Sequence, residues 1–343
     1  MSVLDPAPAR AAAPLKLPVP VAIAGTGVHL PETVVTNADL ARVLNTKDEW
    51  IVRRTGIRER RRLAPGRTAS DMGAAAARSA LEAAGLDAAE LDAIIVSSYT
   101  GDQPLPSTAL VIKDAIGADR ALPLDLTQAA CAGGVHALLL AAHLLQGPGT
   151  RAVLVIAADC ASRVVAPGDR LSGVFFGDAA GAAVLARGDG GAGLLGWDTG
   201  SALSYGVQIR AGGSRLPTDH NTVAAGLHHV EMDGREVWDT AVARLPASIE
   251  AAAADAGLDV AAVDHFFLHQ ANLNILHAAL DALGVPRDRA PITLDRLGNT
   301  GAAGMLTALH ETVRAGRLRA GDTYVLSAIG AGFLWGSLCF RHG

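Results

Sequence analysis

Asp125-Leu126-Thr127-Gln128-Ala129-Ala130-Cys131-Ala132-Gly133-Gly134 runs directly into an apolar stretch over residues 135–145. The segment reads as an extended piece giving way to a buried helix, with a thiol at the junction. The dipole and unpaired N–H groups of a helix start favour a thiolate, the nucleophilic form of cysteine. The glycines let a substrate or another backbone come close. Taken alone, the segment favours the plainer reading, a small thiol filling core, which is the usual place of a free cysteine.

Outward from this segment, strands alternate with helices. In the first half, residues 21–25 read as a strand entering a glycine turn, and 69–85 as an alanine-rich helix closed by a C-capping glycine. Residues 93–98 and 152–158 read as buried strands on either side of a helix over 135–146. Phe176-Gly177-Asp178 is a turn entering another strand. The second half repeats the rhythm. It has strands over 193–197, 265–268, 323–328 and 336–340 and helices over 237–257, 273–284 and 301–315. This alternation predicts an α/β fold with parallel or mixed sheets.

A chain of 343 residues, half of them hydrophobic, is too long for one typical core, so two domains or a duplicated unit are expected. The halves echo each other. One has a strand, Cys131, a buried helix and a strand; the other has Asn299, a small-residue helix and a strand. Residues 21–190 and 191–343 are the expected units, and residues 1–20, rich in alanine and proline, read as a disordered lead-in.

A net charge of −5 offers no electrostatic case for nucleic acid. Cys131, Cys160 and Cys339 cannot make a disulfide framework, which points to a reducing cytoplasm. The sequence holds no CxxC pair and no HExxH motif, so no metal is expected. The run over 135–145 is too short for a bilayer, so no membrane is expected either.

Two distant segments change the reading of Cys131. His269 follows a strand, where a loop can present it to a cleft. Asn299 lies between Gly298 and Thr300. Each alone has an ordinary explanation, a hydrogen-bonded core histidine and a turn asparagine. Together with a cysteine at a helix start they make a candidate catalytic set.

Seven segments carry a resemblance, in order, across residues 21–341. They are Asp48-Glu49-Trp50-Ile51-Val52, Arg54-Thr55-Gly56-Ile57, Ala129-Ala130-Cys131-Ala132-Gly133, Phe176-Gly177-Asp178, His269-Gln270-Ala271-Asn272, Gly298-Asn299-Thr300 and Gly332-Phe333-Leu334-Trp335-Gly336. They resemble the β-ketoacyl-acyl-carrier-protein synthase III family of thiolase-fold condensing enzymes. The resemblance implies a thiolase-like duplicated αβαβα five-layered fold, a homodimer, and Cys131, His269 and Asn299 as the triad. It implies no cofactor, only acyl-CoA or acyl carrier protein thioesters as substrates. Cys131 would take an acyl group, and decarboxylative Claisen condensation with a malonyl-type or β-keto thioester would follow. The Cys131 N–H and one from Gly330-Ala331-Gly332 would form the oxyanion hole, with Ala331 strained if that turn requires positive φ. Asn272, Gly301 and Phe333 fall at substrate-facing positions. Trp50 would stack on adenine and Arg54 or Arg163 would meet phosphate; the alternative for Trp50 is a buried helix anchor. The run of Arg53, Arg54, Arg58, Arg60, Arg61 and Arg62 is either a solvated face or a nucleotide mouth.

Departures from the pattern add expectations. Gly134 stands where a large apolar residue is usual, and Gly301 and Gly304 are also small, so a wider acyl pocket and a primer bulkier than acetyl are expected. Leu105 matches the residue that reaches the partner subunit's pocket. The helix over 273–283 has no lysine or arginine, and Asp239 stands where a basic residue is common. Weaker steering of an acidic carrier follows, which favours a specialised polyketide or secondary-metabolite pathway, one form of which joins two bulky chains. The alternatives are acyl transfer from Cys131 to an oxygen or nitrogen nucleophile without decarboxylation, and a silent partner subunit, which generally lacks the cysteine. Cys160 and Cys339 read as core.

Overall fold

The computed structural model describes residues 17–127, 129–188 and 190–343. Its strands are β1 (Val21–His29), β2 (Thr33–Thr36), β3 (Glu59–Arg62), β4 (Ala93–Ser97), β5 (Leu122–Leu126), β6 (Ala152–Cys160), β7 (Asp178–Arg187), β8 (Gly193–Ser201), β9 (Val207–Ile209), β10 (Val230–Met232), β11 (His265–Leu268), β12 (Thr323–Gly330) and β13 (Leu334–Arg341). Its helices are α1 (Asn37–Ala41), α2 (Asp48–Thr55), α3 (Ala69–Ala84), α4 (Thr108–Ile116), α5 (Gly133–Leu144), α6 (His220–Ala224), α7 (Gly234–Asp255), α8 (Leu273–Ala282), α9 (Leu294–Leu297) and α10 (Ala303–Arg314). Residues 1–16 of the expected lead-in lie outside the described residues. Val19 is tied down, exchanging two hydrogen bonds with the Gln146 side chain at 2.8 and 3.1 Å.

Five layers follow from strands that are apolar on both faces. In β4 and β6, Ile95, Val153 and Val155 pack toward α5 and α10, while Ile94, Val96, Leu154 and Ile156 pack toward α3 and α4. In the second sheet Phe267 and Leu326 meet the same central helices, and Phe266, Leu268 and Val325 face α7 and α8. Such continuous apolar runs mark strands covered on both sides. The order is therefore helices, sheet, the α5–α10 pair, sheet, helices. Cys160 and Cys339 sit in the outer two of these cores.

The duplication shows in the pairing. The first sheet runs β1-β7-β6-β4-β5 and the second β8-β13-β12-β11. From β1 or β8 inward, both begin with two antiparallel pairings followed by a parallel one. Thus α5 and α10 occupy equivalent places. The small β9–β10 ribbon, three residues per strand, was too short for the sequence to signal. It roofs the site described below.

Local chemistry sets the ends. Thr68 caps α3 in a reciprocal box with Asp71, and Gly85 closes it at φ 64. The last central helix begins at Ala303 rather than residue 301, because Gly301 is left-handed at φ 62. One expectation about charge is corrected. Arg60 is fully buried, donating to Asn37 Oδ1 and to the Val174 carbonyl at 2.8 Å each, so the arginine run is not one solvated face.

Candidate active site

The parallel strands β4, β6, β11 and β12 all end at one side, the usual place for a site in open α/β sheets. Cys131 lies there, on a short 3-10 turn over Ala130–Ala132 between β5 and α5. Glycines let that turn be gripped. A Cβ on Gly133 would overlap the Ser97 hydroxyl, and one on Gly330 would come within 2.9 Å of the Cys131 nitrogen. Ala130 stands at φ 42, the sole non-glycine positive φ among the described residues. Strain of this kind costs about 1–3 kcal/mol and collects at functional positions. Ala331, the expected site of strain, has none; Gly332 beside it takes the positive φ of 138.

His269 follows β11, its N–H donating to the Ser327 carbonyl at 2.8 Å. Gln270 locks the turn, its Oε1 accepting from Thr293 and Leu294 N–H and its Nε2 donating to the Leu268 carbonyl. The imidazole is buried, with Nδ1 unpartnered, and burial lowers its pKa to about 4, the Gly301 backbone pulling weakly the other way. It is therefore neutral at pH 7.

Asn299 lies in the turn between α9 and α10. Its N–H donates to the Phe175 carbonyl at 2.8 Å, and its carbonyl accepts from Gly177 N–H at 3.0 Å. The Gly301 N–H donates to Asn299 Oδ1 at 3.0 Å. With its oxygen so engaged, the amide has its NH2 end left as donor.

Cys131, His269 and Asn299 line one cavity of about 720 Å³, with Gly330, Ala331 and Phe333 at its base. Phe176, Val207, Val230, Leu245 and Ile275 make its walls apolar. An outer pocket of about 660 Å³ shares Met232, Gly234, Trp238 and Asn272 with it and adds Trp50, Arg53, Arg54 and Arg235. Together they form a shaft from a cationic mouth to a half-buried thiol. The Arg170 guanidinium stands 5.7 Å from the Trp50 ring centre. Asn272 lines both pockets and caps α8, accepting from Asn274 N–H.

Other expected residues lie elsewhere. Arg163 is exposed, its guanidinium donating to the Ala64 and Arg67 carbonyls. Leu105 does not line this cavity and is 84% exposed. Gly134 does not widen the pocket: its missing Cβ faces the Ala302 carbonyl at 3.2 Å and Met305 Cε at 3.3 Å, so α10 occupies the space. A Cβ on Gly301 would overlap the Asp159 carboxylate, and one on Gly304 would press on Gln270. These glycines permit close packing.

The sequence reading missed Asp159. This fully buried carboxylate ends β6, and burial raises its pKa to about 6 against four hydrogen bonds that lower it. A lone acid closing the apolar run of residues 152–158 was the available signal. Burial first, and the Asp159 charge second, push the Cys131 thiol up to about 12. This runs against the expectation of a thiolate: desolvation opposes the helix start.

Two family models match, described as 3-oxoacyl-[acyl-carrier-protein (ACP)] synthase III over residues 124–202 and as its C-terminal part over residues 253–342. A β-ketoacyl-[acyl-carrier-protein] synthase III of Roseiflexus sp. (strain RS-1) is 43% identical over 322 residues, covering 93% of this chain and 98% of that protein. The chain belongs to the β-ketoacyl-acyl-carrier-protein synthase III family. Among solved structures, the synthase III from Thermus thermophilus superposes with a TM-score of 0.87 at 36% identity, covering 94% of this chain and 99% of that one. The priming β-ketosynthase of the R1128 polyketide pathway gives 0.88 at 34%, covering 96% and 98%. Like the rest of the synthase III family, the chain has the thiolase-like five-layered fold and is a condensing enzyme of the acyltransferase class. No helix among the described residues is long and apolar enough to cross a membrane.

Proposed function

We propose that Cys131 accepts an acyl group from a coenzyme A or carrier-bound thioester, and that His269 and Asn299 drive decarboxylative condensation with a malonyl-type thioester. The observation that carries this reading is the pair of neutral donors beside the thiol. His269 is held uncharged by burial, and Asn299 is turned with its oxygen toward Gly301. Loss of carbon dioxide leaves an enolate, whose charge such donors stabilise without having to remove a proton.

In the first step Cys131 Sγ bonds to the acyl carbon, the donor's C–S bond breaks, and the thiol proton leaves with the released thiol. Next, the carboxylate C–C bond of the malonyl thioester breaks, its electron pair passing into the enolate. The enolate carbon attacks the acyl-cysteine carbonyl. The Cys131 and Ala331 N–H groups receive the oxyanion, and the cysteine sulfur departs as a thiolate that takes a proton from solvent as the β-ketoacyl thioester forms.

Trp50, Arg54 and Arg53 at the mouth suit an adenine and its phosphates. Arg163, tied to two backbone carbonyls, does not belong to that set. The apolar walls at Val207 and Val230 support a primer larger than acetyl. The absence of lysine and arginine from α8 supports a specialised fatty acid or polyketide pathway over housekeeping initiation. A homodimer is supported by β5, which ends its sheet with one edge unpaired among the described residues, and by exposed Leu105 and Leu122 nearby in sequence.

Carbon dioxide release from malonyl-CoA by the wild type and by His269→Ala tests the reaction. Release that the substitution suppresses supports condensation; acyl transfer to an alcohol or amine without release overturns it. Intact-protein mass spectrometry with a panel of acyl thioesters, with Cys131→Ala as control, identifies the primer; exclusive loading of acetyl refutes the larger pocket.

A further inference from the structure

Asp159 itself lines neither the mouth nor the cavity, yet it joins the two halves close enough to the nucleophile for its charge to be felt there. One oxygen, Oδ1, accepts from the Ser98 hydroxyl at 3.1 Å, the Tyr99 N–H at 3.1 Å and the Thr100 hydroxyl at 3.2 Å, all on the segment after β4. The other, Oδ2, accepts from the Ala302 N–H at 3.2 Å, at the start of α10. Between Asp159 and Asn299 stands Gly301. Its N–H holds Asn299 Oδ1, and its Cα sits so close to Asp159 Oδ2 that a side chain would overlap it. Its positive φ of 62 sends the chain from Asn299 back onto the carboxylate.

The Asn299 amide is therefore oriented by a backbone N–H whose own position is set by a carboxylate from the other half. An amide free to flip would present its oxygen to the enolate as often as its nitrogen, and oxygen cannot donate. Buried carboxylates are costly unless several donors hold them. This one has four, and they are shared between the nucleophile's half and the donor's half.

We propose that Asp159 is a positioning residue for the condensation step: it clamps Gly301-Ala302 to the ends of β4 and β6 and thereby keeps the Asn299 amide aimed into the cavity as a donor. The proposal rests on the reading of Asn299 as an enolate donor, and its test separates the two. Cys131 loading needs no donation from Asn299, whereas decarboxylation does.

Asp159→Asn keeps the shape but puts an NH2 group opposite one set of donors. Loading of Cys131 by acyl thioester, followed by intact mass, is expected to be kept or to rise, because the carboxylate charge that pushes the thiol's pKa up is gone, while decarboxylation falls about a hundredfold, the loss typical of one misplaced donor. Gly301→Ala attacks the same clamp from the opposite side and is expected to give the same split. The double variant is expected to lose no more than the worse single one, because both act through one contact. Ser98→Ala, which removes one donor to Asp159, gives the split in smaller measure and carries the test if Asp159→Asn does not fold. Loading and decarboxylation falling in parallel, or fully additive losses in the double variant, overturn the proposal. A wild type that loads Cys131 but releases no carbon dioxide overturns the underlying reading instead.

Discussion

The N–H of Asn299 donates to the Phe175 carbonyl at 2.8 Å, and the return bond from Gly177 to the Asn299 carbonyl is 3.0 Å. The two segments are far apart in sequence and make a lone parallel bridge between the halves. Phe176-Gly177-Asp178 is thus the backbone seat of the Asn299 turn. Gly177 is glycine because a Cβ there would collide with the Leu297 carbonyl. Gly177→Ala is expected to destabilise the fold by about 2 kcal/mol, the scale of overpacking in a dense core. Urea unfolding measures it; an unchanged midpoint contradicts this account of the turn.

His269 supplies a pH test. Its ordinary pKa is 6.5, and in the fold burial lowers it to about 4. Between these values the unfolded chain binds a proton that the folded chain refuses. Stability is thus fully present above pH 6.5 and drains as pH falls toward 4. His269→Gln removes this contribution. The stability of wild type relative to the variant is expected to drop by about 3 kcal/mol across the window. A difference independent of pH would show that the imidazole titrates normally.

Cys131 supplies a second. With its thiol pushed up to about 12, the thiolate is scarce throughout the neutral range. The initial rate of loading is expected to rise about tenfold per pH unit from roughly pH 7 to 9, tracking the thiolate fraction. Quenched-flow mass spectrometry of the acyl-enzyme checks this. A plateau at neutral pH would mean that the helix start prevails over burial.

Gly134 separates packing from specificity. Because its open side faces Ala302 and Met305, Gly134→Ala is expected to leave the acyl-length profile unchanged. The melting temperature should shift by a few degrees at most, for about 1 kcal/mol of crowding. A profile displaced toward shorter acyl groups would return Gly134 to the pocket wall.

Much of this molecule is written locally. The 3.6 period of α3 comes from one face meeting the core, and the continuous apolar runs of β4 and β6 from cover on both faces, and neighbouring residues record both. Thr68 and Gly85 mark the ends of α3 because capping is a contact within one turn. Cys131, His269 and Asn299 were legible because each stands at an element boundary within a segment that resembles the synthase III family, and all three line one cavity.

Tertiary structure alone decided the rest. The direction of the missing Cβ at Gly134, the burial of Arg60 and the four bonds on Asp159 depend on segments that approach through space. The state of the Cys131 thiol belongs to the same class. A helix start can be read from sequence, but desolvation by the surrounding protein and a carboxylate from β6 cannot, and they govern its proton. Sequence by itself determined the layered α/β fold and which thiol stands at a helix start. How tightly that thiol holds its proton, and what aims Asn299, depend on distances between residues far apart along the chain, which local pattern does not encode.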